Sequence, residues 1–154
     1  MAAVLAIAFT AFGYQLRPII HVEPSHSVGS NEPSPTPIVS GDVPEAYLGS
    51  WTVTISNAVG KNTRSLVIKQ GRIGDDVLIL VADGPTTGDT YHCVFTAPLS
   101  AAPSGGRLEL GPSTVTSGTP AASCSPGGSS TLTLTSGNAL RRTTDSGETL
   151  TYTR

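Results

Sequence analysis

The chain has 154 residues, room for one domain of ordinary size with appendages. Charged residues make up 13 % of it, roughly half the usual share of about 25 %, and the formal net charge is −2. From residue 45 onward eight basic residues offset eight acidic ones. That balance excludes the electrostatic footprint of nucleic-acid binding and argues against polyanion partners in general.

Residues 2–16, AAVLAIAFTAFGYQL, carry no charge, and Arg17 is the first charged residue. Such a stretch reads as a membrane segment or the hydrophobic region of a signal peptide. Continued through Ile19 and Ile20 it would span about 28 Å as a helix, close to bilayer thickness. Residues 1–20 are therefore expected to be a hydrophobic membrane anchor or a truncated transmembrane helix. No Lys or Arg precedes the run, which an internal start at Met1 within a longer membrane helix would explain.

Residues 21–44 are rich in Pro, Ser and Gly with no apolar period, the composition of a disordered linker. His21 and His26 fall within it and are expected to be solvated.

From residue 45 to 154 the pattern changes to that of a β domain. WTVTIS alternates, placing Trp51, Val53 and Ile55 on one face. RSLVIKQ repeats the pattern with Leu66 and Ile68 inward, and VLILVA is apolar on both faces, as a central strand is. TYHCVFTA puts Tyr91, Cys93 and Phe95 on a shared face. RLELGPSTVT, STLTLTS, NALRRT and ETLTYTR follow between Gly, Pro, Ser and Asp clusters. About eight short strands at this spacing suit an antiparallel barrel or sandwich, and the expected fold is all-β, an antiparallel barrel of about eight strands.

Cys93 and Cys124 are the only cysteines. Two cysteines mean one disulfide or two separate buried thiols, and compartment decides between them. Export, argued from the N-terminal segment, favours a bridge, which closes a loop of about 30 residues and is worth about 3–4 kcal/mol on the chain-entropy model. No CxxC pair occurs, so no zinc site is expected.

Gly49-Ser50-Trp51 at the entry to the first strand resembles the Gly-x-Trp signature of lipocalin-like (calycin) barrels. The resemblance implies an arginine late in the last strand that stacks over the tryptophan and closes the barrel floor. Period-2 counting puts Leu150, Tyr152 and Arg154 on one face, so Arg154 is the expected partner of Trp51, with Arg141 and Arg142 as competitors. The longer pattern of YLGSW, SLVIKQGRIGDDV, YHC, LEL, a later Cys and a terminal Arg strand is similar to the extracytoplasmic domain of actinobacterial membrane proteins. In that group the domain often follows a serine/threonine kinase domain, a membrane helix and a Pro-rich linker. No Gly-rich phosphate loop, HRD-type loop or DFG motif occurs here, so the sequence given carries no kinase chemistry.

Other chemistry is sparse. His92 is the one histidine in the β region and is expected to face solvent, opposite Tyr91 and Cys93. Asp75, Asp76, Asp83 and Asp89 sit in Gly-flanked turns, where Asp ordinarily serves local hydrogen bonds. Their spacing matches no calcium loop, and neither a metal nor another cofactor is expected.

The interior, including Val53, Ile55, Ile68, Tyr91, Phe95 and Tyr152, either lines a small apolar pocket or fills the barrel completely. The expected function is a non-enzymatic sensing or binding module outside the cytoplasm, at the membrane through its N-terminal segment or secreted. Its partner would be a small apolar ligand, a cell-wall component or a protein. The alternatives are a ligand-free structural domain, the sensor fragment of a serine/threonine kinase, and a small hydrolase using His92 or the acidic turns.

Overall fold

The computed structural model describes residues 40–154. The predicted membrane segment, most of the predicted linker, His21 and His26 lie outside the described residues. Among the described residues no helix is long and apolar enough to cross a membrane.

Nine strands form: β1 (Gly49–Ser56), β2 (Lys61–Ile68), β3 (Asp76–Pro85), β4 (Thr90–Pro98), β5 (Arg107–Leu110), β6 (Thr114–Thr119), β7 (Ser130–Thr135), β8 (Ala139–Thr144) and β9 (Thr149–Tyr152). Single 3-10 turns at Glu45–Tyr47 and Ala121–Ser123 are the only helical pieces among the described residues. The fold is all-β, as the alternation predicts. One predicted strand, RLELGPSTVT, divides into β5 and β6. Gly111 and Pro112 separate them, and a proline has no N–H to continue a ladder.

The strands make two antiparallel sheets rather than the single closed barrel expected. The first has the order β1-β2-β3-β4-β6 and the second β5-β7-β8-β9. They meet at two corners. Thr52 and Thr153 exchange backbone hydrogen bonds of 2.8 and 2.9 Å, joining β1 to the end of β9. Leu99 and Leu110 form a second isolated bridge, joining the end of β4 to β5. No ladder connects β6 to β7. The intervening PAASCSPGGS stretch has neither the β-branched residues that favour a strand nor a full set of N–H donors.

The inner faces follow the registers. Trp51 pairs with Leu66, Leu66 with Leu80, and Leu80 with Phe95, giving one apolar row across the first sheet. Ile68, Leu78 and Ala97 form the next row toward one end, and all three are buried. Leu108, Leu110, Leu132 and Leu140 supply the facing layer from the second sheet.

β3 is apolar on both faces, but unequally. Leu78, Leu80 and Ala82 are buried, whereas Ile79 and Val81 lie half-buried on the outer face. A register shift between Asp76 and Leu78 lets Val77 and Leu78 both turn inward, the effect of a β-bulge.

The folded unit also begins before residue 45. Val43 is 2 % exposed within the core, and its carbonyl accepts a hydrogen bond from Gln70 Nε2 at 2.7 Å. The backbone N–H of Asp42 donates to the Gly71 carbonyl at 2.8 Å. An apolar side chain next to a proline was hidden by the linker-like composition around it.

Candidate functional site

The two ends of the interior differ in chemistry. At the Trp51 end the packing is solid. Trp51 is 0 % exposed, its Nε1–H donates to the Tyr47 carbonyl at 2.9 Å, and the Tyr47 hydroxyl donates to the Gly106 carbonyl at 2.7 Å. The Arg154 guanidinium carbon lies 4.2 Å from the Trp51 ring centroid. Its Nη2 donates to the carbonyls of Ala46 and Leu48, both at 2.9 Å. Arg141 and Arg142, the competing partners for Trp51, sit elsewhere. Arg141 points outward at a shallow hollow beside Arg107, and Arg142 points inward.

At the opposite end the same faces turn polar. β2 runs Ile68, Leu66, Arg64, Asn62 along its inner face, so the period that buries two aliphatic residues also carries an arginine and an asparagine inward. On β8 the inner face reads Leu140, then Arg142, which pairs with Leu132 and Leu150. Arg142 is 9 % exposed; its Nε–H donates to the buried Ser130 hydroxyl at 3.1 Å. Arg64 is half-buried. Its Nη1 donates to the Tyr91 hydroxyl at 2.8 Å, and that hydroxyl donates to Asn62 Oδ1 at 2.8 Å. The guanidinium carbon stands 5.7 Å from the Tyr91 ring centroid.

These residues open on a groove of about 350 Å³ between the sheets. Leu80, Ala82 and Phe95 form its apolar wall, and Arg64, Tyr91 and Arg142 its polar one. A smaller recess of about 120 Å³ continues from Arg64 and Arg142 to Leu150 and Tyr152. Residues 120–129 supply the remaining wall through Ser123, Ser125 and Gly127. This wall is covalently held, because Cys93 on β4 and Cys124 form a disulfide with their Cα atoms 5.6 Å apart.

The electrostatics of the groove are unbalanced. The ion pairs among the described residues are His92–Asp83 and Arg107–Glu109; neither Arg64 nor Arg142 has one. Glu148 at the rim is the one carboxylate lining the groove, and it is exposed. The Tyr152 hydroxyl is fully buried and without a hydrogen-bond partner. Burial pushes its pKa above the ordinary tyrosine value, and the neighbouring Arg142 guanidinium partly offsets that rise.

Of the expected pocket residues, Tyr91, Phe95 and Tyr152 line the groove or its recess. Ile68 is buried at the dry end, and Val53 and Ile55 are half-buried outside the groove lining. Arg64 was missed, although counting by two from Leu66 puts it on the inner face. The same counting from Leu140 places Arg142 there.

The remaining polar candidates do not assemble a site. His92 Nδ1 lies 2.6 Å from Asp83 Oδ1 with both side chains about half exposed, on the outer face, where no serine hydroxyl is hydrogen-bonded to either. Asp75 and Asp76 lie at one end of β3, and Asp83 and Asp89 at the other. Asp75 Oδ2 accepts from the Arg72 N–H, and Asp89 Oδ1 from the Thr90 N–H. Among the described residues no group of three or more His, Cys, Asp or Glu is placed to hold a metal ion.

The fold and groove define a disulfide-bonded, two-sheet β domain with Trp51 and Arg154 closing one end and two inward arginines at the other. No protein-family model, curated protein or solved structure matches the chain.

Proposed function

We propose that the chain is a non-enzymatic binding or sensing module that works outside the cytoplasm, and that the groove between the sheets receives a small ligand. The observation that carries this reading is the groove itself, into whose lining β2 and β8 carry Arg64 and Arg142, neither of them in an ion pair. An inward guanidinium without a counter-ion is costly, and ligand pockets set a few such polar groups among apolar walls. The groove volume of about 350 Å³ lies at the small end of ligand pockets, which run from about 300 to 1,000 Å³.

The disulfide supports an oxidising compartment, and the apolar N-terminal run supports a membrane tether. The resemblance to calycin barrels and to actinobacterial extracytoplasmic domains agrees with both. A sensor role in a longer signalling protein follows if the chain is one piece of it.

Ligand-observed NMR of the full chain against a fragment library tests this reading, with Ser125→Trp as the control. Ser125 is exposed and lines the groove, so a tryptophan there obstructs the mouth without entering the core. Fragments that bind the natural chain and are lost from S125W, at unchanged melting temperature, support the groove as the site. An absence of binders, or binders indifferent to the substitution, overturns it.

A further inference from the structure

We infer that the groove takes an amphipathic monoanion, a carboxylate with a short apolar body, with its head between Arg64 and Arg142. This rests on the groove being a ligand site and names the chemical class of that ligand.

A guanidinium as buried as that of Arg142, 9 % exposed, is ordinarily paired with an anion, because a buried charge without a counter-ion is costly. Here Nε is committed to Ser130, and no carboxylate forms an ion pair with Arg142. Arg142 lines the groove and its recess. Arg64 lines the same groove and recess, and its hydrogen bonds to the Tyr91 hydroxyl and the Thr63 carbonyl run through Nη1 alone. Two guanidinium groups without an ion pair therefore line one cavity.

Charge sets the valence of the ligand. Arg64 and Arg142 contribute two positive charges, and the exposed rim residue Glu148 contributes one negative charge. The excess of a single positive charge matches a monoanion better than a dianionic phosphate monoester. Guanidinium groups bind carboxylates through paired N–H donors.

The opposite wall decides the body. Leu80, Ala82 and Phe95 present only carbon to the groove, and the cavity of about 350 Å³ holds a short alkyl or aryl segment and not a sugar chain. The result is a ligand with one charged end and one apolar end.

The test compares octanoate with octanamide and octan-1-ol by isothermal titration on the full, oxidised chain. Octanoate is expected to bind at least about tenfold more tightly than either neutral analogue, a difference of about 1.4 kcal/mol. Arg64→Gln and Arg142→Gln are each expected to reduce octanoate affinity to that of the alcohol, whose affinity they leave unchanged. Arg64 is half-buried, so R64Q keeps the test decisive if R142Q fails to fold. Equal affinity for the three compounds overturns the anion assignment while leaving the groove a ligand site. Binding of none overturns the assignment, and the fragment screen then decides the groove separately.

Discussion

Arg154 lies over Trp51, 4.2 Å from guanidinium carbon to ring centroid, and donates two hydrogen bonds to the carbonyls of Ala46 and Leu48. The last residue of the chain is thereby fixed to the segment that leads into the first strand. A cation–π contact contributes about 0.5–2 kcal/mol, and hydrogen bonds from a charged donor add to it, discounted here for exposure. Arg154→Ala is expected to destabilise the fold by about 1–2 kcal/mol. Trp51 is the only tryptophan, so its fluorescence should change in the same variant. An unaltered emission spectrum with unaltered urea midpoint would show that the stack contributes nothing.

Gly84 faces Asn62 and Tyr91 so closely that a Cβ there would overlap the Asn62 amide oxygen and stand 2.9 Å from Tyr91 Cε1. Gly84→Ala therefore displaces the pair that holds Arg64. The expected outcome is a loss of about 1–3 kcal/mol, the usual cost of overpacking, together with weaker octanoate binding. Stability and affinity both equal to the natural chain would mean that the Asn62–Tyr91–Arg64 chain is not positioning the groove.

The Cys93–Cys124 bridge spans 31 residues of sequence and pins the groove wall to β4. Cys124→Ser with Cys93→Ser should cost about 2–4 kcal/mol. It should also weaken ligand binding more than Arg154→Ala does, since Arg154 lies at the far end. Gly118 would meet Cys124 Sγ at 2.6 Å if it carried a Cβ, so Gly118→Ala is expected to show a milder form of both effects. Binding that is indifferent to the bridge would contradict a wall held by it.

Tyr47 and Tyr152 both have pKa values raised by burial. A raised value means that the folded state holds the proton longer than the unfolded chain does. Stability from these two groups is then fully present below the unfolded value of about 10 and is lost as pH rises through the folded values. Urea midpoints should accordingly be flat below about pH 10 and fall above it. Phenolate absorbance should show part of the tyrosine signal appearing only with unfolding. A midpoint that stays constant through the alkaline range would contradict this.

His92 and Asp83 form an exposed pair on the outer face. Such pairs contribute about 0–1 kcal/mol, so His92→Ala should leave both the melting temperature and ligand binding nearly unchanged. A large loss of binding would move the site to the outer face.

Alternation alone made the sheets legible, because one face of each strand is dry and a shift by one residue would expose it. The strand positions of Trp51, Leu66, Phe95 and Tyr152 follow directly. Closure was not legible. It depends on whether the segment from Pro120 to Ser129 pairs with anything, and its proline and glycine content becomes decisive only once β6 is seen to add to β4. The groove was half legible. Tyr91, Phe95 and Tyr152 are aromatic and stand out, whereas Arg64 and Arg142 are charged residues on inner faces, and composition assigns charge to the surface. The period that buried their neighbours applied to them as well.

The inward arginines are the centre of this account, and the most direct measurement is of their own side chains. Arginine Nε–Hε resonances of the full chain, followed while octanoate is added, report each guanidinium separately. The account predicts saturable shifts at Arg64 and Arg142, with Arg107, Arg141 and Arg154 unmoved. Shifts at Arg107 and Arg141 with Arg64 and Arg142 silent would contradict it and place anion binding on the outer face.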